Sequence, residues 1–135
     1  MTGLRVGIGV DAHAFEDGVP LVLGGAPFDH PRGLAGHSDG DVIAHVLIDA
    51  VLGAAGLGDI GSLFPSGAAE WEGASSLDLL ARAYARVREA GFALVNADCV
   101  LVGEDFDSAL SLARRVGYET VTVFDRRVAR QEPLG

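Results

Sequence analysis

The chain has no lysine and only one cysteine, one tryptophan and one methionine in its 135 residues. Each scarcity narrows the range of functions. Ten arginines face nineteen acidic residues, giving a formal net charge of −9. That balance argues against a nucleic-acid partner, because binding a phosphate backbone requires clustered Lys and Arg. It also means that a small anionic substrate needs a cation to bring it in. The single cysteine, Cys99, excludes an intrachain disulfide framework and fits a reducing cytoplasm; its apolar surroundings predict a core position. No apolar run reaches the roughly 18 residues needed to cross a bilayer. The N-terminal "MTGLRVGIGVD" has no apolar h-region followed by a small-residue cleavage site, so no membrane association and a cytoplasmic location are expected.

What is present is a globular composition, 49% hydrophobic with 19 glycines, long enough for one domain spanning 1–135. The order of patterns is strand and helix in alternation. "LRVGIGVDAH" alternates side chains with glycines and predicts a strand running to Asp11 or His13. "LVLGGAPF", broken by Gly24, Gly25 and Pro27, predicts a short hairpin-like segment. Ser38 or Asp39 is expected to cap a helix over about 39–55, with Val42, Val46 and Leu47 among its apolar contacts. A glycine-rich loop follows. Ser75 or Ser76 then opens a helix with Leu77, Leu80, Ala81, Tyr84 and Val87 at helical spacing, ended by Gly91. "ALVNADCVLVG" predicts a strand, "DSALSLARRVG" a short helix and "ETVTVFD" a final strand. The fold class expected is α/β (α+β), a mixed β-sheet covered by helices. Arg126, Arg127 and Arg130 read as a solvated tail, with a phosphate-binding arm as the alternative.

The ionisable residues are concentrated in two places. Side chains two apart on a strand share a face, so Asp11 and His13 point the same way. Asp41, His45 and Asp49 lie four apart, on one face of a helix. A strand-end Asp-x-His and one helical His form a three-ligand set of N and O donors that suits Zn²⁺ and leaves a fourth position for substrate. Asp49 is a candidate acceptor for the second nitrogen of His45. Spacing alone also admits ordinary surface or hydrogen-bonded roles for each residue. His30, between Asp29 and Pro31, reads as a surface turn residue.

The stretches "GVDAHAF", "GLAGHSDGDVIAHVLIDAVLGAAGLGDIGSLFP" and "NADCVLV" resemble the 2-C-methyl-D-erythritol 2,4-cyclodiphosphate synthase family, over about residues 4–102. The resemblance implies a compact α/β fold assembled as a homotrimer with active sites between subunits. It implies Asp11, His13 and His45 as metal ligands, normally for zinc, with Mg²⁺ accompanying the diphosphate. His37 and Ser38 match a loop contacting the substrate phosphate, His37 stabilising the transition state. Asp59, Ile60 and Gly61 match the stretch holding the methylerythritol part, and Phe64 opens a further substrate-binding loop. The implied activity is a lyase reaction of non-mevalonate isoprenoid biosynthesis. In it, 4-diphosphocytidyl-2-C-methyl-D-erythritol 2-phosphate is cyclised to 2-C-methyl-D-erythritol 2,4-cyclodiphosphate with release of cytidine monophosphate (CMP).

The C-terminal third is shortened and departs from the family pattern. "GEDFDS" stands where the family has Ala-Pro-Lys, "TVTVFDRR" replaces its Thr-Thr-Thr-Glu-Lys run, and Ser66 replaces an Asp. These departures leave a second function class beside the enzyme: a relative that keeps fold and metal as a binding or assembly protein.

Overall fold

The computed structural model describes residues 3–102, 120–124 and 129–133. The chain forms two compact units, Met1–Ala97 and Asp98–Gly135.

The first unit opens with an extended segment that owes its position to glycine. A Cβ on Gly7 would come within 1.9 Å of the Ala50 carbonyl oxygen, and one on Gly9 within 2.0 Å of that of Val46. The segment therefore lies directly on a helix backbone, an approach only glycine permits. Val6, Ile8 and Val10, on the alternate positions, are 80–88% exposed. The alternation expected for a strand is present, but residues 3–14 have no ladder partner among the described residues. The expected strand over 93–103 is not assigned as a strand over its described residues, and Cys99 is half-buried rather than in the core. Periodicity reports two faces; a strand also needs a neighbouring edge, which lies elsewhere in the sequence.

Two nested antiparallel pairs follow. β2 (Leu21–Leu23) pairs with β3 (Ala26–Phe28) across Gly24 and Gly25. Both glycines have positive φ, 58° and 76°, as a two-residue hairpin turn of type I′ requires. The hairpin was legible from those residues. β1 (Phe15–Asp17) and β4 (Arg32–Leu34) flank it, with Phe15 opposite Leu34.

α1 (Val42–Ala55) starts at Asp41, not at Ser38 or Asp39. The Asp41 carboxylate is fully buried and accepts the Ala44 N–H at 3.1 Å, a helix N-cap. It also accepts the N–H groups of Gly24 at 2.9 Å and Gly25 at 2.7 Å. One carboxylate thus joins the hairpin turn to the helix start. Gly56 and Leu57 close the other end by donating to the carbonyls of Gly53 and Leu52, a Schellman-type stop.

α2 (Ile60–Leu63) is a single turn capped by Asp59, and α3 (Ser76–Glu89) packs on α1. Their core is Ile48, Val51, Leu52, Phe64, Leu79, Ala83 and Val87. Val42, Val46 and Leu47, expected among the apolar contacts of α1, are half-buried, while Ile43, Ile48 and Leu52 are buried. On α3, Leu77 and Ala81 are exposed and Leu79 and Ala83 point inward. α1 is apolar on nearly every side, so its spacing selects no face; the position of α3 does.

In the second unit, β5 (Thr120–Phe124) pairs antiparallel with β6 (Ala129–Pro133). β5 is the expected final strand. β6 occupies residues, Arg130 among them, that the sequence read as a tail. The expected helix over 107–117 lies outside the described residues, as do Arg126 and Arg127. The class is α+β, as expected, but every ladder among the described residues is antiparallel, so the parallel pairing of a mixed sheet is not present there.

Candidate metal centre

Three side chains converge where the N-terminal segment crosses α1. The Asp11 Oδ1 accepts the N–H of Ala12 at 2.9 Å, which turns Oδ2 inward. Asp11 Oδ2 lies 2.7 Å from His13 Nε2 and 3.0 Å from His45 Nδ1. The two histidine nitrogens are 3.2 Å apart. One ligand atom from each residue lies within 4.8 Å of the others. The i, i+2 spacing and the first turn of α1 are what bring them together.

The donor chemistry tests whether a metal fits. His13 Nδ1 lies 2.5 Å from the Ala35 carbonyl oxygen, an atom that can only accept, so Nδ1 carries the proton. The Nε2 lone pair of a neutral His13 then faces the Asp11 carboxylate and the His45 ring. Such electron-rich atoms this close repel unless a cation lies among them. A proton relieves one pair at a time; a divalent ion relieves all three. Two imidazole nitrogens and one carboxylate oxygen form a set typical of an open zinc site. In a tetrahedral zinc site, ligand atoms about 2.0–2.1 Å from the metal are roughly 3.3 Å apart, slightly wider than the separations seen here. The residues fit the ion.

The other face of His45 is held differently from the sequence expectation. Asp49 does not serve it: Asp49 Oδ1 accepts the Ile60 N–H at 2.8 Å, tying α2 to α1. His45 Nε2 instead lies 2.9 Å from Ser76 Oγ and 3.0 Å from Ser38 Oγ. Asp39 accepts from both the N–H of Ser76, at 3.0 Å, and its hydroxyl. Ser76, fully buried, and Asp39 are the functional neighbours that sequence reasoning missed. It saw them only as caps, and no local signal relates residue 76 to residue 45.

The remaining candidates fall around this cluster. Ser38 reaches it. His37 is exposed; its Nε2 accepts the Gly67 N–H at 3.3 Å and its carbonyl the Gly73 N–H at 3.1 Å, linking the residue 36–38 turn to the loop before α3. Asp59, Ile60 and Gly61 form the start of α2, with Asp59 Oδ1 accepting the Ser62 N–H at 2.8 Å. They attach to α1 at Asp49, one turn beyond His45. Phe64 is buried, edge-on to Trp71 at 5.0 Å between ring centroids. Its side chain anchors the start of the following loop. His30 Nδ1 lies 2.8 Å from the carbonyl oxygen and 3.1 Å from the nitrogen of Arg32, a turn contact, with the residue half-buried rather than at the surface.

Comparison with known proteins gives one consistent result. A model of the YgbB family matches residues 4–111. The 2-C-methyl-D-erythritol 2,4-cyclodiphosphate synthase of Marinobacter nauticus is 48% identical over 101 residues, 75% of this chain and 64% of that protein. The enzyme of the same name from Syntrophobacter fumaroxidans is 54% identical over 99 residues, covering 73% of this chain and 62% of its own. A solved 2C-methyl-D-erythritol-2,4-cyclodiphosphate synthase in its CDP-bound form superposes with a TM-score of 0.74 at 41% identity, over 83% of this chain and 73% of that one. The chain thus spans just under two thirds of the length of these curated relatives. Among the described residues no helix is long and apolar enough to cross a membrane.

Proposed function

This chain belongs to the YgbB family, and from that premise we propose that it is a metal-dependent cyclodiphosphate synthase. Its substrate is 4-diphosphocytidyl-2-C-methyl-D-erythritol 2-phosphate, and its products are 2-C-methyl-D-erythritol 2,4-cyclodiphosphate and CMP. The observation that carries this reading is the convergence of Asp11 Oδ2, His13 Nε2 and His45 Nδ1.

The reaction joins two groups that repel. An oxygen of the 2-phosphate attacks the β-phosphorus, and a new P–O–P linkage forms. The bond from the β-phosphorus to the bridging oxygen breaks, and CMP leaves with that oxygen and its electron pair. The nucleophile is already an anion, so no general base is needed. What the chain must supply is positive charge and alignment, and fixed attack geometry is worth several kcal/mol of barrier. Asp11, His13 and His45 would hold a divalent ion, Zn²⁺ by donor type, which supplies charge against the crowded phosphoryl oxygens. Mg²⁺ would accompany the diphosphate. His37 and Ser38 bind the phosphate side, with His37 opposing charge that develops in the transition state. Asp59, Ile60, Gly61 and the loop opened by Phe64 hold the methylerythritol side.

The assembly proposed is a homotrimer acting in the cytoplasm, in keeping with the single cysteine. Support for a trimer comes from Leu4, Val6, Ile8 and Val10, 80–90% exposed on one side of the N-terminal segment. Apolar rows of this kind mark surfaces that another chain covers. Light scattering at micromolar concentration should give three chain masses; a monomer would remove the subunit contact.

Purified protein given the substrate with Zn²⁺ and Mg²⁺ should release CMP and the cyclic diphosphate, followed by ³¹P NMR. Chelation should stop it. A zinc-loaded trimer that releases no CMP would overturn the enzyme reading.

A further inference from the structure

We propose that Asp39 and Ser76 are positioning residues that fix which nitrogen of His45 faces the metal cluster. The inference rests on the metal reading of Asp11, His13 and His45, and extends it to two residues outside the ligand set.

The hydrogen-bond polarity can be followed atom by atom. The Ser76 hydroxyl donates its only proton to Asp39 Oδ1, and the Ser76 N–H donates to Oδ2 at 3.0 Å. Asp39 Oδ1 also accepts the N–H of Asp41 at 3.1 Å, so the carboxylate is held against the start of α1. With its proton committed, Ser76 Oγ meets His45 Nε2, 2.9 Å away, as an acceptor. Nε2 must then carry the hydrogen. A neutral imidazole has one N–H, so Nδ1 is left bare and points at Asp11 Oδ2 at 3.0 Å. Ser38 Oγ, 3.2 Å from Ser76 Oγ, can donate to the same hydroxyl without changing this polarity. Ser76 is fully buried, so no competing solvent reaches its hydroxyl.

The consequence is chemical as well as geometric. Ser38 Oγ, His45 and Asp11 otherwise resemble a Ser–His–Asp hydrolytic relay, with Ser38 3.0 Å from Nε2. Such a relay needs Nε2 free to take the serine proton. The Asp39–Ser76 pair denies it that role and presents Nδ1 as a ligand instead. Partners of this kind orient metal-bound histidines and raise their basicity.

The test reads the imidazole directly. Long-range ¹H–¹⁵N correlation on metal-free, ¹⁵N-labelled protein should show His45 with Nε2 protonated. In Ser76→Ala the ring should become a mixture of tautomers, and zinc affinity, measured by competition with a chromophoric chelator, should fall 10- to 100-fold. A His45 Nε2 without its hydrogen in the wild-type protein overturns the proposal whatever the variant does. An unchanged tautomer in Ser76→Ala overturns it too, since a purely structural role could lower affinity without moving the proton. Failure of the metal reading looks different: the wild-type chain would then not bind zinc while His45 still shows Nε2–H.

Discussion

Replacing His45 with Ala should lower zinc affinity by more than about 100-fold and, if the proposed function holds, abolish metal-dependent release of CMP. Loss of an outer partner of a ligand typically costs 10- to 100-fold, and loss of the ligand itself must cost more. His45 is the member of the cluster contributed by α1, and it is 9% exposed. Asp11 and His13 would remain 2.7 Å apart, a two-donor remnant unable to hold Zn²⁺ against a competing chelator. The fold should survive, because the core around Ile48 and Leu52 does not include the imidazole. Competition titration and circular dichroism on the same sample separate the two effects. Unchanged affinity in a folded variant would show that the metal binds elsewhere.

Asp41→Asn should destabilise the protein by about 1–3 kcal/mol, the penalty range for a buried donor left without an acceptor. The native carboxylate accepts from Gly24, Gly25 and Ala44, at 2.9, 2.7 and 3.1 Å. An asparagine turns one accepting oxygen into an NH₂ group that confronts backbone N–H donors, in either flip. The same carboxylate stands at the positive end of α1, where a negative charge is favourable. The comparison is Asp59→Asn, at an exposed cap of a one-turn helix, which should cost under about 1 kcal/mol. Urea denaturation of the two variants beside the parent chain checks this. Equal midpoints for Asp41→Asn and the parent would mean that the hairpin and α1 are held by packing alone.

Both predictions concern residues within one short stretch, "GHSDGDVIAH", whose ionisable content is costly inside an apolar segment unless each charge is paired or bound to metal. The structure gives most of them distinct destinations. His45 joins the cluster with Asp11 and His13. Asp41 binds the hairpin turn, Asp39 binds Ser76, and Ser38 lies between Ser76 and His45. His37 bridges two loops at the surface.

The amino-acid sequence by itself determined the parts that depend on neighbours within a few residues. The i, i+2 placement of Asp11 and His13, the Gly24–Gly25 turn and the span of α1 all follow from local backbone preference and period. The glycine alternation at positions 7 and 9 is visible in the sequence, but its reason, the close contact with the backbones of Ala50 and Val46, is tertiary. Membership in the family was legible because its motifs are contiguous runs. Only the tertiary structure decided which side of an almost wholly apolar helix faces inward, and that Asp49 serves Ile60 rather than His45. It alone decided that Ser76, 31 residues from His45, holds that ring, and that Asp41 rather than Ser38 or Asp39 caps α1. The physical reason is common to all of these: a hydrogen bond or a buried face is chosen among competitors brought together by folding, and sequence spacing cannot rank partners from distant segments. For the N-terminal segment, alternation was visible in the chain, but pairing requires an edge from elsewhere, and none among the described residues provides it.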